Sequence, residues 1–586
     1  MPRLLGAKFD IGMVHTFGED GSLLPNPRSI SVLLNLPPRR STNHNLLIMQ
    51  IGQFVDHDHV LTSGVKGPNG TNKNCKSCMS WTDPACMPIP IASDDPFFPS
   101  NSSNGEPNCF SFTRNVVAEG KFNTVDPLNF NTAFLDLSTV YGSDHCQCDE
   151  LRFFRHGLMR MDLVYDVPKG LPPSGFKGFE ECRLKSKKCM NTGDVRSNEH
   201  MTLLMMHTIF LREHNRLAEK ITEINKHWDD ERIFQEARRI NIAQYQHIIY
   251  QEYLPALIGF SKARDYGLQA LSRGYYKDYS EKINPGIVNE FAGAAYRIGH
   301  SMIPNAFPKY NEDFQFVGEL PLVETFHNPQ GFGSPGDFDD CIRGLLATHL
   351  PALDLHFENV IKQHLFEMKD KPFSGEDLLA RNIARGREYG YPGYTNYVEF
   401  CGVSSEIKTW TDLHKLMDPM VVQYLQRTYK HPKDIDLFVG GMAEYQSPGA
   451  LVGPTFSCII ANQFIGVKRG DRFWYENEAN GLTLQQLDSI RKTSLWSRIL
   501  CNNMNYLTSL PYYSTIIPIK SSNPLVRCDQ LEDIDLSQWA EEYEKVADSC
   551  KFRSNIYQIG EQVHMTTCSS CVCNTNGQVI IEAQDH

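Results

Sequence analysis

The sequence predicts a mainly α protein with little β-structure, stabilised by disulfides, and three observations carry that reading. Long stretches place apolar residues at three- and four-residue intervals with charges between them. Alternating, strand-like patterns are scarce. Seventeen cysteines gather in clusters, chiefly Cys75, Cys78, Cys86 and Cys109, then Cys146 and Cys148, Cys182 and Cys189, and Cys568, Cys571 and Cys573. With 41% hydrophobic and 22% charged residues over 586 positions, the composition is globular and the chain can bury a large core. A formal charge of −12 without any Lys/Arg block argues against nucleic acid as a partner, because phosphate recognition needs a basic surface. No stretch reaches the ~20 apolar residues that span a bilayer, so no transmembrane segment is expected.

Residues 1–45 and 60–130 are rich in Pro, Gly, Asn and Ser and read as loops. The segment between them, at 46–59, is apolar but carries Gln53, Asp56 and His57 at i, i+3 and i+4, which one helical face would bring together. Burying a carboxylate and an imidazole there is costly unless something pairs with them, which points to a cofactor or metal; a satisfied core histidine is the plain alternative. Helical patterns follow at 199–221 and 229–257, with Ser197 or Asn198 and Asp229 or Asp230 as N-caps. Further helices are expected at 287–302, 337–348, 356–368, 376–388, 411–428, 455–466 and 483–500. After Trp539 the texture becomes polar and cysteine-rich, so residues 1–540 read as one domain and 541–586 as a separate, partial disulfide module.

The sequons Asn69-Gly-Thr71 and Asn101-Ser-Ser103 flank the first cysteine cluster. Together with the cysteine density they favour a secreted, extracellular glycoprotein with disulfides over a zinc site at Cys75 and Cys78. The first residues lack the apolar core of a signal peptide, so the true start of a secreted chain is expected to lie upstream.

Four more segments could carry chemistry. Thr132, Phe134, Asp136 and Ser138 alternate so that an extended loop would turn their oxygens one way, with Asp58 as a further carboxylate for a hard cation such as calcium; a solvated loop explains the same spacing. Arg196 and Glu199 stand three apart at the start of the 199–221 helix, as an ion pair or cap would. Arg297 and His300 share a helical face, with Gly299 leaving room for a flat group. Arg381, Asn382 and Arg385 offer an amide and two guanidinium groups suited to carboxylates.

The joint order of these signals is more specific than any of them. Gly-Gln-x-x-Asp-His-Asp, then Thr-x-Phe-x-Asp-x-Ser before Val140-Tyr-Gly-Ser143, then Arg-x-x-Glu, Tyr-Arg-x-Gly-His and Arg-Asn-x-x-Arg, together with Gly470-Asp-Arg-Phe-Trp-Tyr-Glu-Asn477, resembles the animal haem peroxidase family over roughly residues 20–540. The resemblance implies that fold, with haem between central helices. It implies a haem b derivative, His57 as distal base with Arg196, Gln53 as the distal amide that orders water or a halide, His300 as axial iron ligand and Asn382 holding the ligand's other nitrogen. Asp56 and Glu199 match the family's ester-forming carboxylates, Arg297 and Arg385 its groups near the propionates, and Asp58, Thr132, Phe134, Asp136 and Ser138 its Ca2+ site.

By the same resemblance the chain is a secreted peroxidase that takes hydrogen peroxide and oxidises bromide, iodide, thiocyanate or phenolic and tyrosyl donors. The other reading is a catalytically silent matrix or adhesion protein that keeps the fold. His200 stands where one family branch has a Met linked to haem, so that third bond and strong chloride oxidation are not expected. The implied disulfides are Cys75–Cys86, Cys78–Cys109, Cys182–Cys189, Cys401–Cys458 and Cys501–Cys528, with Cys146, Cys148, Cys341, Cys550, Cys568, Cys571 and Cys573 unassigned. The tail is similar to the start of a von Willebrand factor type C module, which suggests a peroxidasin-like or peroxinectin-like branch and possible matrix partners.

Overall fold

The computed structural model describes the chain except residues 10–13, 35, 69, 72, 119–125, 165–166, 176–188, 330–335, 543–548, 553–554, 567–568, 574–578 and 582–586. The fold is helical, as expected, and one apolar core runs through it. Among the described residues the strands form short two-stranded pairs and, in the tail, one three-stranded sheet of Gln562–Thr566, Ser569–Cys573 and Val579–Ile581.

The first 45 residues are not all loop. Pro27–Leu33 forms α1, because Asn26 accepts from the backbone N–H groups of Arg28 and Ser29 and Pro27 presets the first turn. Arg40–Asn45 forms β1, paired antiparallel with His349–Pro351. Arg28 is buried with its guanidinium between Asp95 and Asp377 at 2.7 and 2.6 Å. Asp377 in turn caps the Leu378–Glu388 helix, accepting from Ala380 N. One buried cation thus joins α1 to the helix that carries Asn382.

Leu47–His59 forms α2 and buries Leu47, Ile48, Ile51, Phe54 and Val55. Ser138–Tyr141 and His145–Leu151 form α3 and α4. Met201–Ile224 forms α5, two residues later than the pattern suggested. His200 is extended and makes no cap, so Arg196 and Glu199 lie in the turn before the helix rather than on it. Asp230–Ile248 forms α6, with Asp229 as its cap as expected. The 229–257 pattern is not one helix: a π-helical turn at Ile249–Tyr253 separates α6 from α7 (Leu254–Ile258). Asn241 ties α6 to α5 by donating to Phe210 O at 3.0 Å.

The stretch expected as a helix over 287–302 is broken. Asn289–Gly293 is α-helical, Ala294 leaves helical geometry at φ −139°, and Ala295–Met302 continues as a 3₁₀ helix. The cause is packing. A Cβ on Gly293 would sit 2.1 Å from the Tyr391 hydroxyl, and Phe291 stacks on Tyr296 at 4.4 Å, so the chain bends to seat both aromatic contacts. The 356–368 stretch yields only Asn359–Lys362 as helix, and 411–428 and 483–500 are each split, the former before Pro419.

Four of the implied disulfides form: Cys75–Cys86, Cys78–Cys109, Cys401–Cys458 and Cys501–Cys528. Cys182 and Asn69 lie outside the described residues, while Asn101 is exposed. Cys341 is a buried free thiol. No helix among the described residues is long and apolar enough to cross a membrane.

Candidate active site

A cavity of 310 Å³ opens between α2, the 196–200 turn, the 3₁₀ helix and the 361–381 region. Gln53, Asp56 and His57 line it from α2, as their helical spacing implies. Arg196 and Glu199 line it from the turn, and Arg297, Gly299 and His300 from the 3₁₀ helix, whose three-residue repeat puts Arg297 and His300 on one side. Gly299 has open space where a Cβ would stand. Arg196 and Glu199 keep 24% and 26% of their side-chain surface although they lie deep in the protein, because that surface faces the cavity.

His57 is neutral: burial, then the Arg196 charge, hold its pKa well below the ordinary value. Its Nδ1 is buried without a hydrogen-bond partner and stands 4.0 Å from Asp194 Oδ1, while Nε2 stands 4.0 Å from Glu199 Oε2. The His57 carbonyl accepts from Arg196 Nη2 at 3.2 Å and from Asn131 Nδ2. Burial pushes the Asp56 carboxyl up to about 6 and that of Glu199 up to about 7, against the pull of Arg196.

Sequence reasoning missed Asp194. Its carboxylate accepts from Arg196 N at 2.8 Å, Nε at 2.9 Å and Nη2 at 2.7 Å, and it is 1% exposed. Burial opposes its ionisation, but the Arg196 charge and hydrogen bonds overcome that and hold its pKa below the usual range. The signal was the Asp-x-Arg spacing: two residues apart in a turn, the pair closes a ring through the backbone.

On the other side, burial, then Arg297, hold His300 down at about 3, leaving a neutral imidazole able to ligate a metal. Asn382 reaches its Nδ1 at 2.8 Å and accepts from Arg297 Nη1 at 3.3 Å. Iron ligation through Nε2 requires a proton on Nδ1, hence the Asn382 oxygen turned to the ring and Arg297 directed to another acceptor. A haem propionate would be that acceptor. The residues present therefore fit the cofactor. Arg381, not Arg385, lines the cavity; Arg385 is paired with Glu388 and lies over the Phe112 ring at 4.2 Å.

The calcium candidates meet behind α2. Asp58 accepts from Leu137 N at 3.3 Å, Ser138 Oγ at 3.2 Å and Thr139 N at 3.4 Å, and Asp136 accepts from Ser138 N at 3.0 Å. Burial, then the Asp136 charge, drive the Asp58 pKa up, and the buried Thr132 hydroxyl stands beside the Asp136 carboxylate. Two facing carboxylates with hydroxyl oxygens beside them suit a hard cation. Among the described residues no cluster of three or more His, Cys, Asp and Glu forms a metal site.

The family model for animal haem peroxidase matches residues 1–513. The peroxidasin homologue pxn-2 of Caenorhabditis elegans is 35% identical over 92% of this chain and 42% of its own length. The chorion peroxidase of Drosophila melanogaster is 35% identical over 92% of this chain and 68% of its own length. The chain thus spans about two fifths of the peroxidasin homologue it matches. Peroxidase A from Dictyostelium discoideum superposes with a TM-score of 0.71 at 27% identity, covering 86% of this chain and 93% of that one. The fatty acid alpha-dioxygenase of Oryza sativa, at 18% identity and a TM-score of 0.64, shares the fold. Motif order, cavity and relatives agree, and the chain belongs to the animal haem peroxidase family.

Proposed function

We propose that the chain is a secreted haem peroxidase that reduces hydrogen peroxide, either to one water with the second oxygen passed to a bromide, iodide or thiocyanate ion as its hypo-acid, or to two waters with one electron and one proton taken from each of two phenolic or tyrosyl donors. The observation that carries it is the single cavity shared by His57, Arg196, Gln53, Asp56, Glu199, Arg297 and His300. When bound, the haem supplies the iron at which the O–O bond is split. His57, being neutral, takes a proton from the oxygen of peroxide that approaches and returns it to the oxygen that leaves. Arg196, fixed by Asp194, presents positive charge where the leaving oxygen becomes negative. His300 would hold the iron through its imidazole, Asn382 would orient that ring, and Asp56 and Glu199 would supply the ester links. Asp58, Thr132, the Phe134 carbonyl, Asp136 and Ser138 hold Ca2+, tying the end of α2 to the 131–138 loop. Residues 541–586 form a partial von Willebrand factor type C-like tail suited to matrix proteins.

The test is the absorption spectrum of the protein before and after acid-organic extraction, with a pulse of peroxide on the native sample. A Soret band that stays with the polypeptide and shifts on the pulse is the expected result. A protein supplied with haem that shows no Soret band would refute the proposal.

A further inference from the structure

A chain of buried polar groups runs from the cavity into the protein, and the mechanism above uses only its first member. Gln53 lines the cavity and donates from Nε2 to Glu199 Oε2 at 3.2 Å. Its Oε1 points inward, where two groups reach it: His200 Nε2 at 2.7 Å and Gln50 Nε2 at 3.2 Å. Behind them Thr202 Oγ1 lies 2.7 Å from Gln50 Oε1 and 3.0 Å from His200 Nδ1. His200 is 6% exposed and its ring lies along Phe307 at 5.6 Å and 24°.

With the two amides placed as they are, Gln50 donates its N–H to Gln53 Oε1, His200 Nε2 carries the proton that meets the same oxygen, and the one Thr202 hydroxyl proton is shared between Gln50 Oε1 and His200 Nδ1. Both acceptor sites of Gln53 Oε1 are then filled from inside. The amide of Gln53 is left with its N–H₂ group as the only polar face it can show the cavity. Released from His200, the amide could turn its oxygen outward and present a negative dipole end instead. Burial keeps His200 neutral, its pKa lowered to about 3, so it serves as a fixed donor rather than as a charge.

We propose that His200 is the positioning residue that sets anion selection in this cavity, by locking Gln53 with its N–H₂ face toward the bound anion. The proposal rests on the peroxidase reading above. An anionic donor such as thiocyanate meets an N–H where an unlocked amide would show it oxygen about nine-tenths of the time, which leaves about a tenth of the molecules competent to bind. Esterification of Glu199 strengthens the effect, because it removes the one negative charge that competes for that N–H.

The test uses the haem-loaded protein and thiocyanate, titrated against the Soret band of the resting enzyme, which reads binding and not turnover. His200→Leu leaves Gln53 Oε1 one donor short inside a buried site and is expected to raise the thiocyanate Kd about tenfold. His200→Gln, whose terminal N–H reaches the same oxygen, is expected to return the Kd to within about threefold of the parent. Haem content of each variant reports folding. A parent-like Kd in His200→Leu overturns the proposal. So does an equal loss in both variants, because a merely space-filling role would give it. A parent protein that binds haem and thiocyanate but shows no turnover would sink the peroxidase reading and leave the positioning role standing; one that binds no thiocyanate overturns the positioning role.

Discussion

Replacing Asp194 by Asn tests whether a buried carboxylate outside the expected set governs the distal chemistry. Asp194 receives three N–H groups from Arg196. In Asp194→Asn the Oδ1 side keeps two of them, but the new amide N–H₂ faces Arg196 Nη2, where 2.7 Å now separates two donors. One charge-assisted bond of about 1.5–3 kcal/mol is lost and the guanidinium must turn aside. A displaced donor of this kind costs about 10²–10³ in rate. The assay is the stopped-flow rate constant for the Soret change on mixing with peroxide, followed against pH. Asp194 also raises the affinity of His57 for a proton, so its neutralisation lowers the His57 pKa further. The sign follows: the rate needs neutral His57, is full above its folded pKa and falls below it, so the acid limb moves to lower pH in the variant. A parent-like rate constant, or an acid limb that moves upward, would refute the reasoning.

Other outcomes are open to measurement. His57→Ala should leave haem content intact while the peroxide rate constant falls by about two to four orders of magnitude, and near-parent activity would sink its role as the base. Stripping calcium with a chelator should lower the thermal midpoint, Asp136→Ala should abolish the response to added Ca2+, and equal responses in the two proteins would exclude Asp136 as a ligand. Arg28→Met removes the cation between Asp95 and Asp377 and should cost about 3–5 kcal/mol in denaturant unfolding, whereas a change below about 1 kcal/mol would show that the two carboxylates find other partners.

The parts of the fold and site legible in the sequence are those set by local periodicity. The Gln53, Asp56 and His57 face followed from helical spacing, and Asp229 was readable as a cap because its oxygen needs only the backbone three residues on. What was not legible depends on distant contacts. Nothing in 287–302 announces the break at Ala294, which is imposed by Tyr391, about a hundred residues away. The start of α5 lies at Met201 and not after the expected caps Ser197 or Asn198, because Asn198 turns its amide to Met190, accepting from its N–H and donating to its carbonyl. The pairing of Arg385 with Glu388, one helical turn on, and the place of Arg381 in the cavity lining are likewise set by packing that the sequence does not display. Gln50 and Thr202 carry no signal of their own until His200 is seen between them and Gln53.

The carbonyl of His57 has a consequence for how members of this family can diverge. It lies in the last turn of α2, where helical carbonyls lack partners within the helix, and its two donors come from Asn131 and Arg196, each on a different segment far along the chain. The position of the base proposed above is therefore set jointly by its own helix and by these two donors from outside it. Drift in the 131–138 loop or in the 190–200 turn can re-aim the base by tenths of an ångström without altering any residue that touches peroxide. Differences in rate between relatives with identical cavity linings should accordingly trace to those two loops.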